Sequence, residues 1–269
     1  MQQAEDFRAE CDALHAILEP LLEEDFDRST GFKGWTINEI LRHLYAWNWA
    51  ADKSLQGADA FDDFMRQVLP HVPQRGLRAF ESRWLDGLSG RALLTAWRRG
   101  YAETADLFEP VDPSMRVKWA GPSMSARSSI TARLMETWAH SQAIYDVLGL
   151  HRDNTDRIRN IAVLGFNTYG WTFKNRGEAV PEPAPFVRLT APSGAIWDFG
   201  EESAEERVDG PAEAFCQVVT QTRNVLDTAL KLTGPNASRW MAVAQCFAGP
   251  PETPPAPGTR TVRVLAETR

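Results

Sequence analysis

The chain has 269 residues, 43% of them hydrophobic and 24% charged, which suits an ordinary globular protein with one large core or two modest ones. A net charge of -7 with no basic block argues against nucleic acid or an anionic membrane surface as partner. No apolar run approaches the roughly 18 residues of a membrane span, and the polar start Met1-Gln2-Gln3-Ala4-Glu5-Asp6 is not a signal peptide, so a cytoplasmic protein is expected.

Phe7, Cys11, Leu14, Leu18, Leu21 and Leu22 recur at helical spacing and predict a first helix over about residues 4–24. His15 neighbours that stripe and reads as a surface histidine. The run Ser29-Thr30-Gly31-Phe32-Lys33-Gly34-Trp35-Thr36 is a turn leading into a helix start. Thr36 is a good N-cap, and Glu39 three residues later completes a capping box. The second helix runs to about residue 55, with Ile37, Ile40, Leu41, Leu44 and Trp47 inward and His43 on the border of that stripe. Phe61, Phe64, Met65 and Val68 predict a short helix, followed by a loop with Pro70, His71, Pro73 and Gly76. A long helical segment over about 77–108 is expected to break near residues 87–90, with Leu93, Leu94, Trp97, Tyr101 and Leu107 buried.

Residues 110–122 form a connection carrying Trp119. Ser123 or Ser125 can cap the next helix, which ends at Gly149. It contains Arg133-Leu134-Met135-Glu136-Thr137-Trp138-Ala139-His140. Glu136 and His140 are four residues apart and leave one helical face, otherwise apolar through Ile130, Leu134, Ile144 and Val147. A carboxylate and an imidazole buried together need a partner. A metal ion would supply one, with His43 as the third ligand. Three N and O ligands leave an open coordination position, which marks catalytic rather than structural zinc; imidazole suits nickel and iron as well. A metal-free hydrogen-bonded triad is the plain alternative. Four long helices with short connections predict an antiparallel four-helix bundle.

Past Gly149, residues 153–174 read as helical, and Pro181, Pro183 and Pro185 mark a linker. Strands at 186–190 and 195–199 flank the turn Pro192-Ser193-Gly194 and make a hairpin. Arg207-Val208-Asp209-Gly210 is a third strand, and Pro211 opens a helix expected to reach about residue 232. A last helix covers about 238–247. A proline-rich spacer then precedes a short terminal strand or a disordered end. The three distant cysteines, Cys11, Cys216 and Cys246, make neither a disulfide framework nor a metal site. The expected fold is α+β: residues 1–150 a four-helix bundle, residues 151–269 a smaller α+β domain with a short antiparallel sheet.

Gly34-Trp35-Thr36 followed by Leu41-Arg42-His43-Leu44 resembles the start of helix two in DinB-like metal proteins, in particular the N-terminal domain of mycothiol-dependent maleylpyruvate isomerases. Their later E-x-x-x-H motif is matched by Glu136 and His140. The resemblance covers roughly residues 4–150. It implies a divalent metal, usually zinc, on His43, Glu136 and His140, with a low-molecular-weight thiol as cofactor and a small electrophilic, carboxylate-bearing substrate. The run Gly121-Pro122-Ser123-Met124-Ser125-Ala126-Arg127 resembles a subfamily of uncharacterised metal-binding proteins. The second half is similar to a small domain labelled wyosine base formation, through Val208-Asp209-Gly210-Pro211-Ala212, Thr220-Gln221-Thr222-Arg223-Asn224 and Gln245-Cys246-Phe247-Ala248-Gly249. Scattered cysteines cannot hold the iron–sulfur cluster that radical tRNA chemistry needs, so that activity is not expected. The same region resembles the isomerases' C-terminal domain, whose glycine-arginine pair falls near Arg223, here preceded by Thr222 instead of glycine; the resemblance makes Arg223 the candidate catalytic anion clamp for a substrate carboxylate, with a structural arginine as the alternative. Trp47 and Trp138 are the expected walls of the site. The resemblance implies a metal-dependent, thiol-using isomerase or transferase. The alternative is a metal- or ligand-binding stress protein without turnover. The expected partner is a small molecule; a homodimer is left open.

Overall fold

The computed structural model describes residues 1–57, 59–71, 76–120 and 123–262. The chain divides into two compact units, Met1–Ser141 and Gln142–Arg269.

The first unit is built on α1 (Gln2–Leu18), α2 (Ile37–Leu55), α5 (Gly90–Phe108) and the early turns of α6 (Ala126–Leu148). Between α2 and α5 lie α3 (Asp59–Val68) and α4 (Leu77–Trp84). The first helix stops short of its expected end because Pro20 cannot donate to the helical ladder and its ring clashes with the preceding turn. Phe7, Cys11, Leu14 and Leu18 are fully buried, whereas Leu22 is 62% exposed and lies outside the core. Thr36 and Glu39 close the expected capping box: the Glu39 amide donates to Thr36 Oγ1 at 3.2 Å, and the Thr36 amide donates to Glu39 Oε2 at 2.8 Å. The predicted break between α4 and α5 is present.

Contacts at the helix ends fix the directions. The Tyr101 hydroxyl donates to Asp12 at 2.7 Å and Arg91 donates to the Glu19 carbonyl at 2.9 Å, so α1 and α5 run antiparallel. The Gly90 amide meets Asn38 at 2.7 Å near both N-terminal ends, and Thr104 meets Asp52 at 3.0 Å near both C-terminal ends. Helices α2 and α5 therefore run parallel. That departs from the antiparallel bundle expected and requires a long crossover, which α3, where the short helix was expected, and α4 fill. Helices α2 and α6 are antiparallel: Ser54, late in α2, donates to the carbonyl of Lys118 ahead of α6, while His43, early in α2, faces residues well along α6.

A two-stranded pair, β1 (Arg116–Val117) and β2 (Met124–Ser125), precedes α6. Ser125 Oγ accepts from the Ser128 amide at 3.1 Å, which makes it the cap. Gly149, at φ 69°, ends the helix as expected.

The second unit holds α7 (Arg159–Asn167), α8 (Tyr169–Lys174), the hairpin β3 (Phe186–Thr190) and β4 (Ile196–Phe199), then β5 (Arg207–Pro211), α9 (Ala212–Val219), β6 (Lys231–Thr233) and α10 (Pro235–Val243). The sheet order is β4-β3-β5-β6, and β3 pairs with β5 in parallel. The sheet is therefore mixed, and larger than the short antiparallel one expected. Helix α9 ends near Val219 rather than residue 232, because Gln221 takes a left-handed turn at φ 56° and the chain goes on to β6. Gly165 admits α9 at close range: a Cβ there would stand 2.8 Å from Val219. Pro73, Gly121, Pro122 and the expected terminal strand lie outside the described residues. No described helix is long and apolar enough to cross a membrane.

Candidate metal centre

The turn before α2 builds one wall of the site. Lys33 and Gly34 both take positive φ, at 52° and 70°, and the chain reverses so that the Thr30 amide reaches the Trp35 carbonyl at 2.8 Å. This reversal carries Phe32 and Trp35 over two imidazoles. Phe32 meets the His140 ring edge-on at 4.8 Å between centroids, and Trp35 stacks on the same ring at 5.9 Å. Trp35 also meets His43 at 5.4 Å, and Trp47 lies 6.1 Å from His43. Trp47 is thus a wall as expected. Trp138, two residues beyond Glu136, lies about 200° around α6 from it, so Phe32 and Trp35 complete the enclosure instead.

His43 stands about two turns into α2, counted from its cap. Glu136 and His140 leave one face of α6, as their spacing predicts. One donor atom from each of the three residues lies within 4.8 Å of the others. Glu136 Oε2 is 3.1 Å from His140 Nε2 and 3.8 Å from His43 Nε2. The side chains are 12%, 21% and 11% exposed for His43, Glu136 and His140, so the cluster is shielded yet reachable.

The sequence reading missed one member. Glu81, on α4 and only 1% exposed, accepts from His43 Nδ1 at 2.8 Å and from the Trp47 indole at 3.1 Å. Arg78, one turn earlier, donates to both Glu39 oxygens at 3.1 and 3.2 Å and anchors α4 on α2. A signal for Glu81 was available. Leu77, Phe80, Glu81 and Trp84 have i, i+3, i+4, i+7 spacing, so the carboxylate occupies a position of the apolar stripe.

Electrostatics follow from these pairings. Burial disfavours charge on His43, but Glu81 and Glu136 outweigh it and push its pKa up to about 9. Burial would raise Glu136; the His140 contact at 3.1 Å and the neighbouring His43 and Arg133 prevail and hold it well below the usual carboxylate range. His140 moves down, through burial and the nearby His43 charge, against the pull of Glu136.

Two imidazoles and a carboxylate make a donor set for a divalent ion. Donors bound tetrahedrally at about 2.1 Å stand about 3.4 Å apart, and the 3.1 and 3.8 Å separations bracket that value. Glu81 behind His43 is the outer carboxylate that metal-binding histidines commonly use to fix ring orientation. The residues therefore fit such an ion.

Residues 7–145 match the mycothiol maleylpyruvate isomerase N-terminal domain over more than half of the chain. The chain belongs to that family. Two uncharacterised proteins of Mycobacterium tuberculosis, from strains CDC 1551 and H37Rv, are each 36% identical to this member over 246 residues, covering 91% of it and 95% of their own length. Its fold is similar to the crystal structure of the mycothiol-dependent maleylpyruvate isomerase, with TM-score 0.52 and 15% identity, over 81% of this chain and 87% of that one. A histidine variant of that enzyme gives TM-score 0.51 and 16% identity over the same shares.

Arg223, in the second unit, lies past the end of α9 rather than on it. Its two terminal nitrogens donate to Asp146 at 2.6 and 2.8 Å, and both residues are buried. The fork that would clamp a ligand carboxylate is thus already engaged.

Proposed function

We propose that this protein is a metal-dependent enzyme of the thiol-using isomerase or transferase type, with His43, Glu136 and His140 holding a divalent ion, zinc by preference. The observation that carries the reading is the convergence of the three donors within 4.8 Å, with Glu81 buttressing His43. Membership of the isomerase domain family supports it. In this reading residues 1–150 are the metal-binding domain and residues 151–269 a separate α+β domain.

A bound divalent ion supplies an open position at which a thiol or water loses its proton near neutral pH. Everything else falls to the chain. Glu81 fixes the His43 ring with Nε2 toward the cluster and Nδ1 away from it. Glu136 stays ionised, so it can donate electron density without competing protonation. His140, kept neutral, has a lone pair to offer. Phe32, Trp35 and Trp47 exclude bulk water, which strengthens every electrostatic interaction inside. A thiolate adds reversibly to a conjugated double bond; rotation and elimination then give the isomer, whereas retention of the thiol gives the transferase outcome.

The test is a screen of the metal-loaded protein with low-molecular-weight thiols, mycothiol included, and small unsaturated acids, read by cis–trans conversion and by thiol consumption. Turnover that disappears with chelator and with His43→Ala is expected. Stoichiometric metal with no turnover on any pair would leave a binding protein and overturn the enzymatic reading.

A further inference from the structure

We propose that Arg133 is the anion-binding residue of this centre, taking the carboxylate of a small acidic ligand whose reacting end lies at His43, Glu136 and His140. The inference rests on the reading of that cluster as the reaction centre. Arg133 precedes Glu136 by three residues and His140 by seven, so all three leave the same side of α6. Its side chain is only 3% exposed. The Glu136 carboxylate comes no closer than 3.9 Å to Nη2, which is too long for a hydrogen bond. Nε and Nη1 have no hydrogen-bond partner. These two nitrogens carry three of the five guanidinium N–H donors.

A buried guanidinium with most of its donors unsatisfied is costly, because arginine keeps its proton at any physiological pH. A carboxylate is the natural complement: planar, singly charged and matched to the guanidinium fork. The surroundings place that complement beside the donors. The guanidinium lies over the Trp119 ring at 5.5 Å, Trp119 packs on Trp47 at 5.7 Å, and Trp47 adjoins His43. One aromatic wall thus runs from the arginine to the imidazoles. Trp119 also lines a surface cavity of about 460 Å³ with Phe61, Met65 and Lys118. Arg223 shows the contrast, since its terminal nitrogens already bind Asp146.

The experiment is calorimetric titration of maleate and of its neutral dimethyl ester into wild type, Arg133→Met and Arg133→Lys, each metal-loaded and metal-free, with metal content measured on every sample. Wild type is expected to bind maleate about tenfold or more tightly than the ester. Arg133→Met is expected to lose about 10- to 100-fold of maleate affinity, the worth of charge-assisted hydrogen bonds, with metal content and ester affinity unchanged. Arg133→Lys is expected to recover part of the loss. Maleate bound equally by wild type and Arg133→Met overturns the proposal. Should the methionine variant not fold, equal binding of maleate and ester by wild type overturns it, as does no maleate binding at all. If the wild type takes up no metal yet binds maleate through Arg133, the metal reading fails and this one stands.

Discussion

Replacing Glu81 probes how the centre is organised without touching a proposed ligand. Its Oε1 accepts from both His43 Nδ1 and the Trp47 indole, at 2.8 and 3.1 Å. Glu81→Gln keeps one acceptor oxygen but removes the charge that orients His43. Glu81→Ala removes both and leaves two buried N–H donors without partners. Loss of such an outer carboxylate costs about 10- to 100-fold in metal affinity, or about 1.4–2.8 kcal/mol at 1.4 kcal/mol per decade. The glutamine variant is expected near the low end and the alanine variant near the high end. Each orphaned donor in the alanine variant adds about 1–3 kcal/mol of lost stability. Competition with a chromophoric zinc chelator gives the affinities, and urea unfolding of the metal-free forms gives the stabilities. Wild-type zinc affinity in Glu81→Ala would refute the organising role assigned to this carboxylate.

Three further outcomes are expected. Burial raises the Asp52 pKa to about 7 against the opposing hydrogen bond from Thr104, so the folded chain holds this proton longer than the unfolded chain does. The associated stability is full below about pH 4 and falls as pH rises toward 7, so Asp52→Asn should match wild type near pH 4 and exceed it at pH 8 by on the order of 1–3 kcal/mol; a pH-independent difference in denaturation midpoint would count against this. Arg223→Ala leaves the buried Asp146 without its ion-pair partner, although the Gln142 amide still donates to it at 3.0 Å, with an expected cost of about 3–5 kcal/mol that Asp146→Ala in the same chain partly relieves; a raised KM at unchanged stability would instead support Arg223 as a substrate clamp. Thr36→Ala removes the cap that starts α2 and should cost about 1 kcal/mol by thermal melting; no change would mean that the box is idle.

Local chemistry made much of this protein legible in its sequence. The Thr36/Glu39 box starts α2 where expected, and the Glu136/His140 spacing lines up both side chains toward His43. The hairpin of β3 and β4 follows its glycine-containing turn. What stayed hidden depends on pairings distant in sequence. Periodicity gives a helix a face but no direction, so the parallel run of α2 and α5 emerged only from the Asn38–Gly90 and Asp52–Thr104 contacts. Glu81 stood on an apolar stripe, yet nothing near it names His43 as its partner. Val225, Leu226, Leu230 and Leu232 have spacing that a helix could use, but Leu226 is 77% exposed and the segment turns instead toward β6. The pairing of Arg223 with Asp146 was likewise hidden, because Asp146 is on a helix far back in the chain.

The central claim is that His43, Glu136 and His140 hold one divalent ion. Elemental analysis of purified wild type, His43→Ala, Glu136→Ala and His140→Ala, after dialysis against zinc and a weak chelator, tests it most directly. The account predicts close to one equivalent of metal in wild type and little in each variant, with all four chains folded by circular dichroism. Stoichiometric metal retained by the variants, or none taken up by wild type, would contradict it.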